Sequence, residues 1–245
     1  MIRVRTACHV HSDWSYDGKW SLSELAAAFS KRGYRVVMIT EHDRGFDESR
    51  RLMHREACRL ASTEEILLVP GIEYSDASNV LHFLVWDNVS FIGSGLSADE
   101  ILTAARHAGG IVVFAHPDRR DAWKLFNPEW AKQLLGIELW NRKTDGVAPS
   151  RNAPLLLKMT QAVPFAGLDF HDHRQFFPLA TVLEVEPPIT EASVLESLRR
   201  RRCDPEIFGL PLKQFTGRLS AKLIMRLAES FRRRAAPFYR KLSDS

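Results

Sequence analysis

Apolar residues in this chain come in short runs, separated by amphipathic stretches of helical period. Residues 4–9 read as a strand, and residues 22–32 as a helix with Ser21 or Ser23 as its N-cap. Residues 36–40 form a second predicted strand and residues 47–62 a polar helix. Further strands are predicted at 66–70 and 80–86, the latter nearly unbroken in apolar character. Residues 97–108 read as a helix capped by Ser97 and ended by Gly109 and Gly110. The pattern continues with strands at 111–115, 136–139, 163–167 and 180–185, and helices at 128–135, 152–161 and 190–201. Strands separated by helices of this length imply parallel pairing with the helices outside. Their number predicts an α/β fold whose sheet closes, or nearly closes, into a barrel.

Length and composition fit that picture. A chain of 245 residues, 45% of them hydrophobic, can bury one sizeable core. One catalytic domain over residues 1–200 and a basic helical extension over 201–245 are expected. No run of apolar residues is long enough for a membrane span. The opening Met1-Ile2-Arg3-Val4-Arg5 lacks an apolar signal core, so a cytoplasmic location is expected. Cys8, Cys58 and Cys203 form no CxxC pair, which argues against a disulfide framework or a thiolate zinc site.

Charge is uneven. The net value is +4, yet residues 199–245 hold 13 Lys/Arg against 4 Asp/Glu, a surplus of 13 − 4 = +9. Within that tail Leu219, Leu223, Leu227 and Phe231 recur at helical spacing, with Arg218, Lys222, Arg226 and Arg233 elsewhere around the helix. Pro237 is expected to end or kink it. The expected role of the stripe is packing on the barrel or on a second subunit, as in a homo-oligomer. Contact with an anionic membrane surface or a nucleic-acid backbone is the alternative, and basic residues 199–202 would add to either.

In a parallel α/β barrel, function collects at the C-terminal ends of the strands. The first strand ends in His9-Val10-His11, with Asp17 beyond. The second ends in Thr40-Glu41-His42-Asp43, and the third leads to Glu73. His82 opens the next, His116-Pro117-Asp118 follows residues 111–115, and Asp169-Phe170-His171-Asp172 follows residues 163–167. Six of the nine histidines therefore fall at strand termini, each with carboxylates nearby, which favours metal binding over scattered rim polarity. His9 and His11 are two apart on an extended segment and point to one side; Asp169 and His171 repeat that spacing. Imidazole with carboxylate and no thiolate suits Zn²⁺, Mn²⁺ or Fe²⁺. Glu138 lies inside a strand as a support for such ligands, and Asn141 either contacts substrate or caps its loop. His54 and His107 fall inside predicted helices as structural or exposed residues.

The segments CHVHSDWSYDG, ITEHD, PGIEYSD, the lone His82, FAHPD and GLDFHDH, in this order, resemble the motifs of the PHP (polymerase and histidinol phosphatase) superfamily. The resemblance covers roughly the first 185 residues. It implies a distorted (β/α)7 barrel and a site for three divalent metal ions. His9, His11, Glu73 and Asp169 would hold one ion; Glu73, His82 and His116 a second; Asp17, His42 and His171 a third. The chain departs from the family pattern where Ala7-Cys8 replaces a leading Asp-Leu, and where Glu41 stands in place of Asp. Glu41 is expected to support its neighbours.

The chemistry implied is hydrolysis of a small phosphorylated substrate, a nucleotide or sugar phosphate, by a metal-activated hydroxide. Asp172, His173 and Asp43 are candidate proton shuttles. Arg142 and Arg119, followed by Arg44, are candidate phosphate clamps. Two other readings compete: a metal-bearing PHP interaction module without efficient turnover, and a hydrolase of a non-phosphate substrate.

Overall fold

A computed structural model of the protein describes residues 1–216 and 219–243. Among the described residues twelve strands join one mixed sheet. They are β1 (Ile2–Val10), β2 (Val36–Ile39), β3 (Glu41–His42), β4 (Leu67–Val69), β5 (Gly71–Ser75) and β6 (His82–Trp86). β7 (Ile111–Phe114), β8 (Gly136–Asn141), β9 (Val163–Phe170), β10 (Leu179–Val185), β11 (Cys203–Ile207) and β12 (Leu210–Pro211) complete it. The helices are α1 (Leu22–Ser30), α2 (Glu48–Ala61), α3 (Ala98–His107), α4 (Arg142–Asp145), α5 (Ala153–Met159), α6 (Glu191–Arg199), α7 (Leu212–Thr216) and α8 (Leu219–Ser243).

β1 lies parallel to β2 and to β9, and parallel pairs β2–β4, β3–β5, β7–β8 and β8–β9 continue from them. The expected all-parallel sheet is not what forms. β6 runs antiparallel to β5 and β7, and β10 runs antiparallel to β1 and β11. The reason for the first reversal is local. Only residues 76–81 separate β5 from β6, and a parallel return needs a crossover of about a dozen residues or more. Asp76 tightens that connection by accepting from the backbone N–H groups of Ser78, Val80 and Leu81. Reversal has a consequence for the site: His82, the first residue of β6, arrives at the end where the parallel strands finish.

Both faces of the sheet are covered at its centre, so β2, β6 and β7 are buried throughout. Val4 and Cys8 of β1, Val36 and Met38 of β2, Leu84 and Trp86 of β6, and Val113 of β7 share one buried cluster. The alternate positions pack beneath the helices: Val37 and Ile39 with Leu25 and Phe29 of α1, Phe83 and Val112 with Ile101 and Leu102 of α3. Ser97 caps α3 as expected, in a reciprocal capping box with Glu100.

Three helix expectations change. Residues 128–135 form only a short 3₁₀ segment, Pro128–Lys132. Residues 203–211 are strands and not part of a helical extension, because β11 pairs with the otherwise open edge of β10. Helix α8 does exist, and runs on past position 237. Its residues Leu223, Leu227 and Phe231 stay exposed, so the stripe does not pack on the sheet domain. Arg218 and the side chains of Leu219, Lys222, Arg233 and Pro237 lie outside the described residues. No helix among the described residues is long and apolar enough to cross a membrane.

Candidate metal centre

The strand ends are bent to aim their side chains. His9, His116 and Asp169 hold φ of 60°, 28° and 51°, a region that non-glycine residues avoid. At His9 the pairing of β1 with both neighbours shifts register between Cys8 and Val10, a bulge that turns the imidazole inward. Gly167 completes the arrangement by having no side chain: a Cβ there would lie 1.7 Å from Glu138 Oε1. Glu138 uses that space to reach His9 Nδ1 at 2.8 Å, while its other oxygen accepts from the His116 backbone N–H at 2.7 Å and from Asn141 Nδ2 at 2.9 Å. One buried carboxylate thus orients two of the expected ligands.

Glu73, 1% exposed, is the hub. Its Oε1 lies 2.7 Å from His82 Nδ1, 3.0 Å from His116 Nε2 and 3.5 Å from His9 Nε2. Its Oε2 lies 3.0 Å from His42 Nδ1 and 3.4 Å from His11 Nε2. Asp17 reaches His42 Nε2 at 3.3 Å and His171 Nε2 at 3.2 Å. Asp169 Oδ1 is 3.8 Å from both His9 Nε2 and His11 Nε2 and 3.4 Å from His171 Nδ1. All nine residues expected as ligands are therefore gathered in one place. Within this set, His9/Glu73/His116, His9/His11/Asp169 and His11/His42/His171 each bring their ligand atoms within 4.8 Å of one another.

The donor atoms fit divalent ions. His9 Nε2, His11 Nε2, His42 Nε2, His116 Nδ1, Asp17 Oδ1 and Glu73 Oε2 are buried and make no hydrogen bond. Orphaned polar atoms at such density are costly unless something else ligates them. Without a metal ion the clustered groups shift one another in opposite directions. Burial pushes the Glu73 carboxyl up, but His9, His82 and His116 outweigh it and hold the group well below the ordinary range. Burial disfavours a charged His9, yet Glu138, Asp169 and Glu73 hold its imidazole well above the usual value. For His42 the same opposition ends at about 10, through Asp17 and Glu73. His11 goes the other way, held well below by burial and by His171 and His42.

A second layer fixes the loop after β1. Glu41, fully buried, accepts from Ser12 N at 3.1 Å, Ser12 Oγ at 2.5 Å and Ser15 Oγ at 2.5 Å. Ser15 Oγ in turn lies 3.2 Å from His11 Nδ1 and accepts from the His42 backbone N–H at 3.0 Å. His54 of α2 is buried and backs Glu41 at 3.5 Å. Glu41 is a support, as expected, and His54 is structural.

Above the cluster opens a cavity of about 380 Å³ whose lining includes Tyr16, Asp43, Arg44, Asn79, Arg119 and Lys143. Burial pushes the Asp43 carboxyl up to about 6. Arg119 Nη1 donates to Asn79 O at 3.0 Å and lies 3.0 Å from His82 Nε2. Lys143 Nζ lies 3.3 Å from Asp169 Oδ1 and 3.2 Å from His171 Nε2. Three other expected residues are elsewhere. Arg142 turns away, its guanidinium 4.7 Å from the Phe177 ring centroid. Asp172 pairs with Lys19 at 2.7 Å, and His173 is exposed against Asp172 at 2.9 Å. None of these three lines the cavity. Lys143 was missed because α4 has only four residues, too few to show by period which of two adjacent cations points inward.

No family model and no curated protein matches the sequence. Solved structures do match. A two-domain protein from Bacteroides vulgatus, containing a predicted PHP-like metal-dependent phosphoesterase, superposes with a TM-score of 0.66 at 18% identity. The match covers 84% of this chain and 65% of that one. The fold of this chain is similar to that of this PHP-like protein. Two further solved structures resemble this chain at similar distance. PsfC from Pseudomonas syringae gives a TM-score of 0.61 at 13% identity, over 96% of this chain and 100% of that one. The lesion-specific endonuclease PfuEndoQ from Pyrococcus furiosus gives 0.59 at 14%, over 81% of this chain and 56% of that one. This chain thus spans less than two thirds of the length of both the Bacteroides protein and the endonuclease. At these identities the likeness is one of fold alone, and the chemistry of this chain has to be argued from its own residues.

Proposed function

We propose that this chain is a metal-dependent phosphoesterase of PHP type, acting on a small phosphorylated substrate such as a nucleotide or sugar phosphate. Its sheet would then be read as a distorted seven-stranded barrel with a basic C-terminal extension. The observation that carries the proposal is the convergence of buried, orphaned imidazole and carboxylate atoms beneath a cavity rimmed by Arg44, Arg119 and Lys143. His9, His11, Asp17, His42, Glu73, His82, His116, Asp169 and His171 would hold up to three divalent ions, Zn²⁺, Mn²⁺ or Fe²⁺, with Glu73 shared between them. Divalent ions in such a site polarise a phosphoryl oxygen and lower the pKa of water.

The chain's own residues do the rest. Glu138 keeps His9 and His116 aligned, and Glu41 with Ser12 and Ser15 holds the loop that carries His11 and Asp17. Arg119 and Lys143 stand where they can bind and orient a phosphate dianion. Asp43 lines the cavity and takes the place of Asp172 and His173 as the carboxyl positioned to carry a proton to a leaving group. The test is turnover of p-nitrophenyl phosphate and its bis-ester by the full chain supplied with Mn²⁺ or Zn²⁺. Hydrolysis of either, abolished by chelator and by Glu73→Ala, is the expected result. Metal-loaded protein that turns over neither these nor a broad panel of phosphoesters would favour the interaction-module reading. Cleavage of amides alone would favour the non-phosphate reading.

A further inference from the structure

Helix α8 touches the rest of the chain along one edge. Glu229 on that edge is buried; its Oε2 accepts from the Val147 backbone N–H at 2.9 Å, and it pairs with Arg232 at 2.8 Å. Gly146 is fitted to it: the residue holds φ at 73°, and a Cβ there would lie 2.0 Å from Glu229 Oε2. Met225, one turn earlier, packs against the buried cluster beneath the sheet. The docking is therefore specific, and it fixes which side of the helix faces outward.

That outward side is apolar. At about 100° per residue, Leu227 and Phe231, two positions to either side of Glu229, project from the opposite face, and Leu223 and Ile224 fall in the same sector. These four side chains are 57% (Leu223), 65% (Ile224), 60% (Leu227) and 75% (Phe231) exposed. Arg226 and Arg234 flank them and are exposed too, while Arg232 is held by Glu229. A run of large apolar side chains on this scale seldom faces water without a partner. Three of the four basic residues that open the tail, 199–202, are already committed within the chain. Arg199 pairs with Asp87, Arg200 with Glu196 at 2.7 Å and Arg202 with Glu186 at 3.6 Å. The charge available to a partner is therefore on α8 itself.

We propose that this face of α8 binds an anionic lipid surface, lying in the interface with Leu223, Ile224, Leu227 and Phe231 inserted and the flanking arginines against the headgroups. An apolar stripe bordered by arginines matches both layers of such a surface at once. A nucleic-acid backbone would leave the stripe in water. A second copy of the chain would bring a like-charged face, with its own exposed Arg226 and Arg234, onto this one.

The experiment is sedimentation of the full chain with phosphatidylcholine vesicles, with and without phosphatidylserine, at low and physiological salt. Co-sedimentation with the phosphatidylserine vesicles only, weakened by salt, is the expected result. Leu227→Glu with Phe231→Glu should reduce binding at least about tenfold, because it removes inserted area and adds repulsion. Both positions are exposed, so metal content and circular dichroism should not change, which separates this test from that of the metal centre. Absence of binding at low salt would overturn the proposal. So would binding indifferent to the double variant, or a stable dimer in sedimentation equilibrium that the same variant dissociates.

Discussion

At the strand ends the chain buries Glu73, Asp169, Glu138, Glu41 and six histidines or leaves them at the edge of a cavity; along α8 it exposes four large apolar side chains. Both regions invert the usual inside–outside arrangement, and such inversions are the informative ones. They differ in how they are supported. Each buried charge at the strand ends has a fixed partner, a bent backbone position or a missing side chain that makes room for it. Among the described residues the outer face of α8 has no such support. On the two proposals above, the first region would hold small ions and the second would meet an extended surface.

Breaking the hub should have the largest effect. Glu73→Ala removes the carboxylate that faces five histidines, and turnover should fall about a thousandfold, with loss of bound metal. Activity and metal content within threefold of the parent would show that Glu73 is not a ligand. Glu138→Gln keeps the shape but weakens the bonds to His9 and His116. A loss of about 10- to 100-fold in metal affinity or activity is expected, and a titration with Mn²⁺ measures it.

Acidity should act on the same region. His9 and His42 are held above their usual pKa by surrounding carboxylates, so each carries a proton in the metal-free protein at neutral pH. A metal ion needs the neutral imidazole, so affinity should rise with pH, by about tenfold per unit for each proton displaced. Calorimetric titration in two buffers of different ionisation enthalpy reads the protons released, and a pH-independent affinity would contradict this. Lys143→Met should raise KM several-fold, about one lost charge-assisted contact, with metal content unchanged. A fall in metal content instead would assign Lys143 to the support of Asp169 and His171. The smallest effect is expected across the regions: Leu227→Glu with Phe231→Glu should leave kcat within about twofold, as mutations at distant, independent sites do.

How much of this was legible in the sequence follows from what the chain signals locally. Strand ends were visible because apolar runs stop abruptly at His or Asp residues, and all nine expected ligands do come together. Glu138 and Glu41 were legible as supports for the same reason. The reversal of β6 was not, because 66–70 and 80–86 look alike whichever way they run, and nothing in the pattern marks 71–75 as the strand β5 that leaves only 76–81 for the turn. The strands at 203–211 were hidden by the charge of the tail around them. Arg142 reads as a clamp by residue type, and only the turn of α4 shows that its neighbour Lys143 is the one that lines the cavity. Asn79, Ser12 and Ser15 carry no motif strong enough to mark them; their roles come from loops whose geometry is set by distant partners. Asp172 and His173 sit one and two residues beyond His171, yet the short turn His173–Gln175 carries them outward.

The most direct measurement is the metal content of the full chain by mass spectrometry after reconstitution with Mn²⁺ or Zn²⁺ and desalting, beside a His9→Ala, Asp169→Ala variant. About two to three equivalents in the parent, falling by at least one in the variant, is the expected result. Less than about one equivalent in the parent, or the same content in both proteins, would contradict a metal centre at the strand ends.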